Sequence, residues 1–166
     1  MTPVGQLEVT LPSDREIEMT RVFDAPRDLV FEAFTNPELL LRWFHGPDGW
    51  TLVVCEVDLR PGGAYRYVWN GPGGIEMGMG GTFVEVNAPD RFVALEKFDQ
   101  AWYEGEGHVT TTLTEADGKT TYALRVRYDS KEIRDGVLQS PMKEGVGVGL
   151  DRLAAMLPTF RQEKSK

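Results

Sequence analysis

A chain of 166 residues is the size of one domain, and 41% hydrophobic with 27% charged residues fits a globular protein with a real core rather than a disordered one. With 18 basic against 26 acidic side chains the formal charge is −8, which disfavours nucleic-acid backbones and anionic lipid as general partners. One cysteine (Cys55) and two histidines (His45 and His108) exclude an internal disulfide and a cysteine zinc cage, and leave little for metal or histidine catalysis.

Residues 1–14 read as an N-terminal arm without the basic and apolar blocks of a secretory signal. No run approaches the roughly 20 apolar residues that span a bilayer, so a cytoplasmic protein without membrane insertion is expected. Residues 15–23 alternate as a half-buried strand, with Ile17 and Met19 on one face and, after a shift of one, Val22 or Phe23. Asp24-Ala25-Pro26 predicts a helix start capped by Asp24, and Val30, Phe31 and Phe34 share one face of that helix. Asn36-Pro37 ends it and opens a second short helix through Leu39, Leu40 and Trp43, closed by His45-Gly46-Pro47-Asp48-Gly49.

From there the period is two. Strands are predicted over 50–59, 64–69, 75–86, 91–98, 108–114 and 120–128, which with 15–23 makes seven. Pro61-Gly62-Gly63, Asn70-Gly71-Pro72-Gly73-Gly74 and Asp117-Gly118 are turns short enough to make the sheet antiparallel. Gly80-Gly81 predicts a bulge. Ser130 caps a short helix, and a longer one over 141–157 carries Met142, Val146, Leu150, Leu153 and Leu157 as an apolar stripe. Pro158 is expected to end it, leaving 161–166 as a fraying polar tail.

The fold class is therefore α+β, a curved antiparallel sheet covered by helices. Trp50, Tyr65, Tyr67, Trp69, Phe83, Phe92 and Phe98 fall on inward faces, where they either fill the core or rim a gap beside the last helix. Gly145, Gly147 and Gly149 each cost that helix about 1 kcal/mol relative to alanine. A kink, close packing on a strand, or room for a ligand would each account for them.

Most chemistry-bearing motifs are absent. Gly145-Val146-Gly147-Val148-Gly149 has the wrong spacing for a dinucleotide site, and four serines include no Gly-x-Ser-x-Gly elbow. Glu56 and Asp58 are expected on the face of Trp50 and Leu52, and Glu96 alternates with Phe92 and Phe98. An inward carboxyl must be paired, protonated or solvated; Arg60, Arg66, Arg125 and Arg127 are available partners. A buried glutamate with a raised pKa can act as a general acid or base, whereas one at the rim is merely solvated. His108 is either an edge residue or part of a pocket wall, and Cys55 reads as a small buried hydrophobe.

Three segments carry a family resemblance: Leu41-Arg42-Trp43-Phe44-His45-Gly46-Pro47, Val57-Asp58-Leu59-Arg60-Pro61-Gly62-Gly63-Ala64-Tyr65 and Gly81-Thr82-Phe83-Val84-Glu85-Val86. With Asp24-Ala25-Pro26, Val30-Phe31 and Gly149-Leu150-Asp151-Arg152-Leu153, they resemble the bacterial family related to the C-terminal domain of the activator of the heat-shock chaperone ATPase, within the START-like (SRPBCC) superfamily. The resemblance implies one START-like domain over 15–160: a helix-grip fold, seven antiparallel strands around a long C-terminal helix, with a cavity between them. It departs at Val146, where family members often carry tryptophan.

The expected function is binding of a small hydrophobic or aromatic molecule in that cavity, without a cofactor and with no catalytic or metal residue assigned. The expected ligand-binding residues are Trp43, Trp50, Tyr65, Tyr67, Trp69, Met77, Phe83, Phe98, His108, Met142, Val146 and Leu150. A chaperone partner is the alternative and requires an exposed patch, at Trp43-Phe44 and Trp102-Tyr103. A polyketide cyclase-like enzyme would instead need Tyr65, Glu96 or His108 to converge.

Overall fold

The computed structural model describes residues 5–101, 103, 105–140 and 142–165. Its strands are β1 (Glu8–Thr10), β2 (Glu16–Phe23), β3 (Thr51–Val57), β4 (Ala64–Asn70), β5 (Glu76–Asn87), β6 (Arg91–Phe98), β7 (Gly107–Ala116) and β8 (Lys119–Arg127). All pair antiparallel in one sheet ordered β1-β2-β8-β7-β6-β5-β4-β3, as the short turns dictate. Helices α1 (Arg27–Thr35) and α2 (Pro37–Trp43) follow β2, while α3 (Lys131–Gln139) and α4 (Met142–Lys164) follow β8. The expected α+β helix-grip architecture is present, with one strand more than the seven predicted. No described helix is long and apolar enough to cross a membrane.

The additional strand is β1, in what the sequence presents as a loose arm: Val9 pairs with Met19, adding an edge to β2. In β2 the alternation runs without the expected shift. Ile17, Met19, Arg21 and Phe23 are all buried, so an arginine occupies the position at which an apolar residue was sought. Arg21 is tolerated because its guanidinium meets Asp151 of α4 at 2.5 Å and lies 5.4 Å from the Phe23 ring centre. At the start of α1, Pro26 holds the cap position and Asp24 does not cap. The free Arg27 N–H donates instead to Glu115 Oε1 at 2.6 Å. Ser130 caps α3 as expected, accepting from the Ile133 N–H at 3.2 Å.

The bulges lie elsewhere than Gly80-Gly81. Register shifts occur between Leu52 and Val54 in β3 and between Phe83 and Glu85 in β5. The first has a consequence for function: an extra residue at Val53 inverts the remaining alternation of β3. Cys55 and Val57 then share a face with Tyr67 and Tyr65, while Glu56 opposes Arg66 on the other face. Glu56 and Asp58 are accordingly exposed, not on the face of Leu52 as a simple count places them.

Helix α4 runs through Pro158 rather than ending there. A proline inside a helix costs one hydrogen bond and a clash with the preceding turn. Burial of Phe160, at 2% exposure, opposes that cost, with Arg42 binding Glu163 at 2.7 Å and Lys164 binding Glu32 at 3.1 Å. The polar segment expected to fray is therefore helical as far as Lys164. The three glycines of α4 are not forced by close packing. A Cβ would stand 3.8 Å from Pro47 at Gly145, 3.8 Å from Leu7 at Gly147 and 3.9 Å from Trp43 at Gly149, all ordinary contacts. Gly147→Ala is expected to raise stability by about 1 kcal/mol, seen as a higher urea midpoint at unchanged slope.

Candidate functional site

One row of residues crosses the inner face of the sheet. Tyr65 on β4 opposes Gly81 on β5, and Glu96 on β6 opposes Gly107 on β7. The neighbouring pairs Gly80 with Lys97 and His108 with Arg127 set Gly81 opposite Glu96, and Gly107 opposite Tyr128 just beyond β8. Residues directly opposite across antiparallel strands share a face. The row thus reads Tyr65, Gly81, Glu96, Gly107, Tyr128, with the carboxyl at its centre. Ala94 is buried and Phe92 and Phe98 pack on the core, which places Glu96 on the inner side with them.

The two glycines let the phenol rings lie inward across the strands. A Cβ at Gly81 would collide with the Leu95 carbonyl, and the Tyr65 hydroxyl passes over this bare position to donate to Leu95 O at 2.6 Å. On the other side, Tyr128 Cε1 lies 3.9 Å from where a Gly107 Cβ would stand. Tyr103 meets the Tyr128 ring edge-on at 6.0 Å. An apolar wall continues along β4 and β5, with Tyr65 to Phe83 at 5.2 Å, Tyr65 to Tyr67 at 5.4 Å and Tyr67 to Trp69 at 5.9 Å. Val146 and Leu150 bring α4 onto this layer.

Glu96 has no ordinary reason to be there. Among the described residues no hydrogen bond or ion pair reaches its carboxyl, and burial alone lifts its pKa from 4.5 to about 7. The residue as a whole is nonetheless only half-buried. All five tyrosines of the sequence feel its charge. Burial first, with Glu96 contributing, holds the phenols of Tyr65, Tyr67, Tyr103, Tyr122 and Tyr128 above the ordinary tyrosine range. They are neutral hydrogen-bond donors at any physiological pH. The hydroxyls of Tyr67, Tyr122 and Tyr128 bond to none of the described residues.

Of the expected ligand-binding residues, Tyr65, Tyr67, Trp69, Phe83 and Leu150 lie buried in the main core, with Trp50, Met77, Phe98 and Val146 half-buried against it. Trp43 is 1% exposed in the corner between α1 and α2, where its Nε1–H donates to Ala33 O at 2.9 Å. Phe44 is packed beside it at 5.2 Å and is partly buried, so of the expected patch at Trp43-Phe44 the tryptophan is interior. Trp102 and the side chain of Met142 lie outside the described residues. His108 is exposed on the outer face, because its neighbour Val109 takes the inward position. His45 is structural: Nδ1 accepts from the Leu52 N–H at 3.0 Å, and burial, then Arg152, lowers its pKa. The Cys55 thiol is pushed up to about 11 by burial, which makes it a poor nucleophile. No cluster of metal-binding side chains occurs among the described residues. An open pocket of about 340 Å³ lies over Gly80 and Gly81 and reaches the row from outside at Tyr65.

The comparisons agree with this architecture. A family profile described as Activator of Hsp90 ATPase homolog 1-like protein matches residues 24–158. A solved protein from Rhodobacter sphaeroides is 30% identical, with a TM-score of 0.87 over 93% of this chain and 99% of its own. Protein Ms6760 from Mycobacterium smegmatis is 27% identical, with a TM-score of 0.80 over 95% and 99%. Protein NE0264 from Nitrosomonas europaea is 26% identical, with a TM-score of 0.79 over 94% and 100%. No curated protein matches the sequence.

Proposed function

The chain belongs to the Activator of Hsp90 ATPase homolog 1-like family, and on that basis we propose that it binds a small hydrophobic or aromatic molecule between the inner sheet face and α4. The observation that supports this reading is Glu96. A carboxyl with no hydrogen bond or ion pair among the described residues, set between Tyr65 and Tyr128 along one row of the sheet, is costly inside a core that serves only stability. Such an aromatic layer with a few converging polar groups has the character of a small-molecule site. A chaperone partner is supported by the family's description alone: Trp43 is buried, and Trp102 of the other expected patch lies outside the described residues.

Titration with 1-naphthylmethanol, followed by intrinsic tryptophan fluorescence, tests the reading. A saturable change and a raised melting temperature are expected. Val146→Trp adds bulk on the helix side of the layer and is expected to weaken binding at least tenfold while the protein stays folded. A non-saturable response in the parent protein, or unchanged affinity in the variant, would count against an interior site.

A further inference from the structure

We propose that the molecule bound beside Glu96 is an organic cation: a hydrophobic or aromatic amine whose ammonium group pairs with this carboxyl among the tyrosines. The proposal rests on the interior-binding reading above and assigns the chemical class of its ligand.

Three observations lead to it. The first is the position of the carboxyl, flanked on both sides by a glycine and then a tyrosine along one row of the sheet. Neither glycine sets a side chain beside the carboxyl, and Tyr65 and Tyr128 lie over the two bare positions, so aromatic rings border Glu96 on both sides. Electron-rich rings around an acid are the environment that holds an ammonium group, through cation–π attraction added to the ion pair.

The second is the lack of any counter-charge from the protein. Along the row Tyr65 stands on one side of Glu96 and Tyr128 on the other, with Tyr67 beside Tyr65 and Tyr103 edge-on to Tyr128. No titratable group of β5, β7 or α4 acts on it, and no cation does. The buried arginines are committed elsewhere, Arg21 to Asp151 and Arg134 to Asp135. A ligand amine would supply the charge that the fold omits.

The third is exclusion. A carboxylate or phosphate ligand would stand against Glu96 with no basic side chain to receive it. A neutral alcohol satisfies hydrogen bonds but leaves an ionised carboxyl uncompensated. The net charge of −8 favours the approach of cations to the molecule.

The test uses three probes on one apolar body: 1-naphthylmethylamine, 1-naphthylmethanol and 1-naphthoic acid, titrated against the parent protein and Glu96→Gln. The amine is expected to bind at least tenfold more tightly than the alcohol at pH 8, and the acid most weakly. Its affinity is expected to rise about tenfold from pH 6 to pH 8, because Glu96 ionises in that interval while the amine, with a pKa of about 10, stays charged. Glu96→Gln is expected to abolish both the amine preference and the pH dependence while still binding the alcohol. That retained binding shows that the variant is folded. Equal affinity for amine and alcohol, or a preference unchanged in Glu96→Gln, would overturn the cation assignment and leave interior binding standing. Failure of all three probes to bind the parent protein would overturn both.

Discussion

Trp43→Ala is expected to lower folding stability by about 3–5 kcal/mol, the largest loss from any single substitution considered for this chain. Trp43 is 1% exposed and its indole N–H is satisfied by the Ala33 carbonyl, so truncation removes both the packing and the partner of a buried acceptor. The ring also joins three elements. It meets Phe34 of α1 edge-on at 5.2 Å, touches Phe44 at 5.2 Å, and lies against the backbone of α4 at Gly149. The side chain is too large for its neighbours to close over the space it would leave. Chemical denaturation by urea should show a much lower midpoint, and Trp43→Phe should recover part of the difference. A loss below about 1 kcal/mol would mean that this corner carries no weight in the fold.

Replacement of Glu96 by glutamine is expected to stabilise the protein above neutral pH. The folded-state pKa of Glu96, about 7, lies above its ordinary 4.5, so the folded protein holds this proton more tightly than the unfolded chain does. Its contribution is most favourable below pH 4.5 and declines as pH rises to about 7, after which the penalty is constant. At about 1.4 kcal/mol per pKa unit, that penalty is at most about 3 kcal/mol, reduced by whatever solvent reaches the carboxyl. Glu96→Gln should therefore match the parent near pH 4.5 and exceed it at pH 8. Asp99 and Asp135 act in the opposite direction, held below the usual carboxylate range chiefly by hydrogen bonds from Arg66 and from Lys131. Both are common to the two proteins and cancel in the comparison. Equal stability of the two proteins across that range would show that Glu96 is freely hydrated, and would remove the main support for an interior site.

These two residues differ in how far the sequence exposes their roles. Trp43 closes an apolar helical pattern, and its burial follows from the spacing of Leu39, Leu40 and Trp43, although the sequence also allows it a place on a surface patch. Glu96 alternates with Phe92 and Phe98, so its inward direction is legible from a period of two. Its isolation is not. Whether an inward carboxyl has a partner depends on residues of other strands, distant in the chain, and nothing local to β6 specifies them. The glycines beside it carry the same ambiguity, because Gly81 reads as a bulge until the register places it between Tyr65 and Glu96.

The α+β class, seven of the eight strands, the antiparallel order implied by short turns and the apolar stripe of the last helix are all legible in the residues alone. Each follows from local periodicity and turn chemistry, which act over a few residues. Tertiary structure alone decided the rest. It set one bulge at Val53 that turned Glu56 outward, recruited β1 to an edge, and carried α4 through Pro158 on the burial of Phe160. It also set Tyr65 and Tyr128, far apart in the chain, on either side of one carboxyl. The physical reason is range: backbone preference is local, whereas register, burial and charge depend on which distant residues become neighbours. The scarcity of histidine and cysteine remains as the composition presents it, and the chemistry of the interior lies in a glutamate and phenols that composition alone does not single out.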